Sequence, residues 1–309
     1  TVNASIPDHI IRFKTTSIDY SVTIDWGDNV YETVCNINTN IGTRTPIHTY
    51  ALPGEYRIRL YNICNFDNIY WIDNLISFTT IGNVLTNLNH MFAGSLFDQP
   101  LCWDTSRVTD MSLMFYCAKF NQPLHLDTSS VTDMSSMFYG AKFNQPLYLD
   151  TSHVIDMSAM FCGGVFNQPL NWDTSSVINM SYMFYHSKFD QPLNWDTSSV
   201  IDMSSMFENT LFNQPLHWNT SSVTDMSRMF CDSKFNQPLN WDTSSRVTNM
   251  SSMFYSSVFN QPLHLDTSSV TNMSLMFYGA LFNQLLHLDM SSVTHKANMF
   301  NNGVYLNKY

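Results

Sequence analysis

The dipeptide Met-Phe returns along this chain at a nearly fixed interval, and no other feature constrains the fold as strongly. It stands at Met91, Met114, Met137, Met160, Met183, Met206, Met229, Met253, Met276 and Met299. Every step is 23 residues except Met229 to Met253, which is 24. The extra residue falls around Arg246, in a predicted surface turn, where a one-residue insertion is well tolerated. Aligned on this period, the repeat reads Phe-Asn-Gln-Pro-Leu-x-Trp/Leu-Asp-Thr-Ser-Ser-Val-Thr/Ile-Asp/Asn-Met-Ser-x-Met-Phe-x-x-small-x. Nine copies start at Phe97, Phe120, Phe143, Phe166, Phe189, Phe212, Phe235, Phe259 and Phe282.

Two columns of the repeat hold 18 of the 19 methionines, and two more hold 19 of the 22 phenylalanines. A single coil of this length cannot bury its own apolar face, so identical coils must stack and turn each apolar column into a core ladder. Side chains locked to that period are packing residues rather than metal-handling methionines. Leu124 to Leu126 alternates in-out-in, which is strand period. Neighbouring coils are therefore expected to pair in parallel at about 4.8 Å, giving a rod or arc on the order of 45 Å long. Pro123 and its equivalents open this strand, where a missing N–H costs least. Asp-Thr-Ser-Ser is turn chemistry, with the Asp oxygen accepting from N–H groups just ahead. A second extended piece is predicted at Val131 to Met134, and a helical or 3₁₀ turn at Met-Phe-x-x-small, where Ala118, Ala141 and Gly164 allow close passage. The ends deviate as caps: Leu285 replaces Pro, Met290 replaces Thr, and Leu85 to Phe92 forms a half-coil. The expected architecture is mainly β, a leucine-rich-repeat-type β-solenoid of about nine 23-residue coils over residues 81–309.

Residues 1–80 have another texture. Tyr20 to Asn29 and His48 to Asn62 alternate as strands separated by turns, without the coil period. Trp26-Gly27-Asp28, His48-Thr49-Tyr50, Pro53-Gly54 and Tyr56 resemble the PKD domain, which implies an immunoglobulin-like β-sandwich. Asn29 stands where that motif usually has Gly, and Asn tolerates a left-handed turn. Asp25 and Asp28 are read as braces of the hairpin rather than metal ligands. Asn65 to Gly82 is expected to pack the sandwich on the first coil.

Composition narrows the function. The chain is 44% hydrophobic but only 13% charged, against about 25% charged in an average domain, so Asn, Ser, Thr and Gln must cover the outside. A net charge of −11 with 14 scattered basic residues excludes a nucleic-acid footprint. No run reaches the roughly 18 apolar residues of a membrane span, and no cationic start followed by an apolar stretch marks a signal peptide. The chain opens on Thr1, which leaves room for a removed leader. Cys35, Cys64, Cys102, Cys117, Cys162 and Cys231 lack paired spacing, which disfavours zinc. A Cys35–Cys64 bridge in the small β-domain is the less favoured reading, and the other four, which fall in repeat columns, read as free thiols.

Phe-Asn-Gln-Pro-Leu together with Asp-Thr-Ser-x-Val-Thr-x-Met-Ser-x-Met-Phe, over residues 85–309, resembles the BspA-like surface proteins. These carry the lipoprotein-type leucine-rich repeats of mycoplasmas, gut bacteria, protists and giant viruses. A PKD-like head fits that architecture. The resemblance implies adhesion, surface display or virion structure without catalysis, at a virion or an extracellular cell surface. The chain departs from the family in its period of 23 rather than 25 and in lacking the standard inward Asn of the leucine-rich consensus.

The columns offer little chemistry. Asp104, Asp127, Asp150, Asp173, Asp196, Asp242, Asp266 and Asp289, with Asn219 once, form an acidic column. A repeated column gives every member one environment, whereas an acid/base pair needs two, so these are read as turn caps. Asp110, Asp133, Asp156, Asn179, Asp202, Asp225, Asn249 and Asn272 interchange freely, which implies hydrogen bonding rather than charge. The Asn-Met-Ser sequons at Asn179, Asn249 and Asn272 arise from that exchange. No catalytic, cofactor-binding or metal residues are assigned, no cofactor is expected, and paired His264 and His287 make too poor a metal site. The candidate binding strips are the outward strand column, His125, Tyr148, Asn171, Asn194, His217, Asn240, His264 and His287 (Cys102 leads it), and the column after Met-Phe, Tyr116, Tyr139, Tyr185, Tyr255 and Tyr278. Cys162, Glu208 and Cys231 interrupt the second strip. Tyr offers large contact area at low entropic cost. The expected partners are other proteins, of a capsid or a surface, with carbohydrate as the alternative. Lys119, Lys142, Lys188 and Lys234 mark a tolerant edge.

Overall fold

The computed structural model describes residues 2–4, 9–12, 22–34, 47–50, 54–56, 59–61, 85–101, 104–239, 241 and 246–300. The chain forms two compact units, Thr1–Leu149 and Asp150–Tyr309. The expected boundary at residues 80/81, the packing of Asn65 to Gly82, and Cys35, Cys64 and Cys102 lie outside the described residues.

Among the described residues the first unit opens with seven short strands: β1 (Val2–Ala4), β2 (His9–Arg12), β3 (Val22–Asp25), β4 (Tyr31–Val34), β5 (Ile47–Tyr50), β6 (Gly54–Tyr56) and β7 (Arg59–Tyr61). All pairings are antiparallel: β1 with β6, β2 with β5, and the sheet β4-β3-β7. The β3–β4 turn follows from its sequence. Gly27 and Asn29 adopt φ of 84° and 72°, conformations open to Gly and Asn but costly for most residues. Asp25 Oδ1 accepts from the Gly27 N–H at 2.9 Å, and Asp28 Oδ1 accepts from the Val30 N–H at 3.2 Å. Asp28 Oδ2 lies 2.7 Å from His48 Nε2, and buried Trp26 stacks on the His48 ring at 4.8 Å. Both aspartates brace this hairpin.

The repeats occupy the rest. In the first unit Met91, Phe92, Met111, Met114, Phe115, Met134, Met137 and Phe138 are at most 3% exposed. In the second, the equivalent methionines and phenylalanines from Met157 to Phe277 are at 0%. Aromatic rings register repeat on repeat: Phe184 and Phe207 stack at 5.6 Å, Phe189 and Phe212 at 6.3 Å, Trp195 and Trp218 at 6.4 Å. Where one copy runs into the next, Phe207 meets Phe212 at 4.2 Å. Such pairs contribute about 0.5–1.5 kcal/mol each beyond area burial.

The two sides of a repeat join their neighbours differently. On one side the Asp/Asn column pairs in parallel, Asn87 with Asp110 and Asp110 with Asp133 in the first unit, and Asp156 through Asn179, Asp202, Asp225, Asn249 and Asn272 to His295 in the second. There the Ile201 N–H bonds the Ile178 carbonyl at 2.8 Å and the Met203 N–H bonds the Asp225 carbonyl at 3.0 Å. The expected extended piece at Val131 to Met134 is thus a single bridging residue per repeat.

On the other side the anticipated strand keeps its alternation, with Leu124 and Leu126 buried and His125 exposed. Among the described residues its backbone pairs only at Leu239, Leu263 and Leu286. Side chains do the joining instead. Thr174 Oγ1 donates to the Asp196 carbonyl at 2.7 Å and Thr197 Oγ1 to the Asn219 carbonyl at 2.7 Å. The indole N–H of Trp195 donates to the Leu170 carbonyl at 3.2 Å. Asn213 N–H donates to Asp190 Oδ1 at 2.9 Å, and Asn236 N–H to Asn213 Oδ1 at 2.8 Å. Pro in eight of the nine copies removes a donor that a β-ladder would need, and these side chains supply substitutes.

The Met-Phe segment corrects an expectation, being neither helical nor 3₁₀. Bonds to the third residue back, Met183 to Met180, Tyr185 to Tyr182 and Ser187 to Phe184, alternate with bonds to the next repeat, Tyr182 to Ser204, Phe184 to Met206 and His186 to Glu208. Left-handed residues make the alternation, with φ of 57° at Tyr182 and 53° at His186. A helix would spend every N–H internally. Consecutive turns release alternate N–H groups to the neighbouring repeat, and stacking wins. The small column behaves as expected, with Ala118, Ala141 and Gly164 buried.

Candidate functional site

The described residues present four polar columns. The first is the outward strip: His125 and Tyr148 in the first unit, and Asn171, Asn194, His217, His264 and His287 in the second, are all exposed, Tyr148 at 82%. Asn240 lies outside the described residues. Leu263 pairs with Leu286, so His264 and His287 leave adjacent repeats on one side. No group of three His, Cys, Asp or Glu side chains converges as a metal site among the described residues.

The second column is half-buried. Tyr116 and Tyr139 stack at 4.8 Å and 18°, and Tyr255 and Tyr278 at 5.6 Å and 12°. Stacking covers one face of each of these rings. Tyr185 meets Tyr182 edge-on at 5.8 Å.

The interruptions of this column are buried, which the sequence reading missed. Glu208 is 5% exposed and Cys231 0%. Arg228, one repeat beyond, closes a fork on Glu208, with Nε 2.9 Å from Oε2 and Nη2 on Oε1. That fork holds the guanidinium pKa above its ordinary value. Burial, reinforced by the Glu208 carboxylate, pushes the Cys231 thiol up to about 12. Cys162 and Cys231 are buried free thiols and Cys117 an exposed one. The signal in the sequence was a pair of opposite charges 20 residues apart: a Glu in a Tyr column and an Arg in a mixed column of otherwise uncharged residues, most often Ser.

The third column is acidic and exposed. Asp173 Oδ1 accepts from the Ser175 N–H at 3.0 Å and from its hydroxyl at 2.7 Å. Asp104 and Asp150 repeat the pattern with Ser106 and Ser152. The serine hydroxyl and N–H hold Asp104, Asp150, Asp173, Asp196 and Asp289 below the ordinary carboxylate pKa, and at Asp266 the Ser268 N–H leads. The fourth column is the half-buried Asp/Asn ladder. Asn179 Nδ2 donates to Asp156 Oδ2 at 3.0 Å, and Asn249 Nδ2 to Asp225 Oδ2 at 2.9 Å.

This periodic chain matches, over residues 65–170, 148–237 and 212–309, the family described as Mycoplasma protein of unknown function, DUF285, and it belongs to that family. No curated protein and no solved structure matches it. No helix among the described residues is long and apolar enough to cross a membrane.

Proposed function

We propose that this chain is a non-catalytic structural or interaction protein: a BspA-like, leucine-rich-repeat-type β-solenoid behind a PKD-like β-sandwich. It serves as a rigid scaffold docking on other proteins, in a virion shell or on a cell surface. The observation that carries this reading is the division between columns. The inward Met-Phe and Val columns keep one residue type, while the exposed strip from His125 to His287 changes residue at five of its seven steps. A varying outward column carried on an unvarying core is what a partner-reading surface on a fixed scaffold requires. Equivalence of the acids supports the absence of catalysis, because an acid/base pair needs two carboxyl groups pushed apart in pKa, and these are pushed the same way.

The stacked tyrosines favour a protein over a sugar. Sugar rings pack on open aromatic faces, and in Tyr116–Tyr139 and Tyr255–Tyr278 each ring has one face covered by its stacking partner. Edges and hydroxyls suit backbone and polar groups of a protein partner. The adhesin-type alternative rests on Tyr148, whose ring is open to solvent. Recovery of the chain in fixed stoichiometry with a shell or surface protein, lost in a Tyr255→Ser/Tyr278→Ser variant, is the expected result. Glycan-array binding abolished by Tyr148→Ala would replace the protein partner with carbohydrate. Hydrolase activity lost on one Asp→Asn change would overturn both.

A further inference from the structure

We propose that Asn219 is an acceptor for an N-linked glycan. Four Asn-x-Ser sequences lie wholly within the described residues, starting at Asn179, Asn219, Asn249 and Asn272. Three of them sit in the half-buried bridging column, where each asparagine pairs with neighbouring repeats and is followed by a methionine at 0% exposure. The amides of Asn179 and Asn249 are already donating to Asp156 and Asp225. Asn219 belongs to the exposed acidic column instead, where every other described member is Asp.

The geometry separates what this position needs from what Asn adds. The turn needs an oxygen, and Asn219 Oδ1 provides it, accepting from the Ser221 N–H at 3.0 Å as the aspartates do. The backbone is held by Thr197, whose hydroxyl donates to the Asn219 carbonyl at 2.7 Å. The Nδ2 amino group has no partner among the described residues and belongs to an exposed side chain. Oδ1 and the residue at +2 are thus fixed in an Asx-turn while the nitrogen faces solvent. Transfer requires a lipid-linked oligosaccharyl pyrophosphate: Nδ2 attacks sugar C1, the N–C1 bond forms, the C1–O bond to pyrophosphate breaks, and one amide proton leaves. Trp218 is buried between exposed His217 and Asn219, so the glycan would stand beside His217 on the outward strip.

Incubation of the folded full chain with a single-subunit eukaryotic oligosaccharyltransferase and a lipid-linked oligosaccharide, read by glycopeptide mass spectrometry, tests this. The expected result is transfer at Asn219 and none at Asn179, Asn249 or Asn272, with loss of the Asn219 signal in N219D. That variant restores the residue of its own column and keeps the wild-type melting curve. A synthetic peptide covering His217 to Thr224 serves as control. Modification of the peptide but not of the folded chain overturns the proposal, as does refusal of the peptide or equal transfer at Asn249.

Discussion

The two sides of each repeat meet the same demand, a bond to the next repeat every 23 or 24 residues, with different parts of the chain. The Asp/Asn side uses backbone, and its side chains are free to interchange between Asp, Asn and, at the end, His295. The proline side uses the Thr hydroxyl, the Trp indole and the Asn carbonyl oxygen, and there the residue type itself carries the connection. A backbone ladder tolerates sequence drift but no loss of an N–H. A side-chain ladder tolerates proline and rests on particular groups, above all the Thr hydroxyl present from Thr105 through Thr267, while Leu replaces the indole at Leu126, Leu149 and Leu265.

Moving a proline across that divide produces the largest effect. Pro192 and Pro215 are native on one side. Ile201→Pro on the other removes the 2.8 Å bond to Ile178 and restricts the backbone of Val200 before it, a loss of up to about 3 kcal/mol. A urea midpoint unchanged by Ile201→Pro would show that the backbone ladder is dispensable. Next comes the exception in the Tyr column. Arg228→Ser leaves Glu208 buried without its fork, and the expected loss is about 2 kcal/mol, below that of a fully enclosed pair because the Arg228 side chain is 48% exposed. The double change Glu208→Tyr/Arg228→Ser returns both columns to their common residues and should recover wild-type stability. Failure of that recovery would mean the pair is not a self-contained substitution.

These magnitudes bear on what could be read from the residues alone. The interior was legible because Met and Phe recur in single columns, and burial of an apolar side chain depends on little besides its position in the repeat. Thr197 was not, since Asp-Thr-Ser-Ser has the composition of a turn, and a buried hydroxyl aimed at a neighbouring carbonyl looks the same in sequence. The clue was constancy: Thr holds that column through Thr267 while the second serine after it gives way to Arg107 and His153. Asn213 hid similarly, although Asp98 and Asp190 in its column mark a position that needs only an acceptor. The consecutive turns were illegible because Ala159, Tyr182 and Arg228, all left-handed, are not residue types that announce it. The outward strips could be placed from alternation, but nothing in their residue types distinguished half-buried stacked tyrosines from the open ring of Tyr148.

Thr197→Val then tests the side-chain ladder at smaller scale. The methyl fills the volume of the hydroxyl, the Asn219 carbonyl loses its 2.7 Å donor, and about 1–2 kcal/mol is expected by denaturant midpoint. Ser199→Ala removes a comparable 2.7 Å bond to the Ser175 carbonyl, but in a partly exposed setting where water replaces the donor, so the change stays within about 0.5 kcal/mol. Equal effects would remove the distinction between a buried connecting hydroxyl and a solvated one.

The smallest expected effect lies in the acidic column, and its sign follows from hydrogen bonding. Asp173 is held below the ordinary carboxylate pKa first by the Ser175 hydroxyl and then by its N–H, partly opposed by the nearby Asp150 charge. A folded pKa below the unfolded one means stability that is present above the unfolded value, about 4 for Asp, and lost as pH falls through the folded value. Ser175→Ala should therefore raise the Asp173 pKa toward its ordinary value in a carboxyl NMR titration, while leaving Asp266, capped by Ser268, unchanged. The bonded N–H remains in that variant, so the shift is partial. A fall, or no movement, would mean that neighbouring carboxylates rather than the turn set the charge of this column. The acids would then behave as one coupled array and not as separate caps.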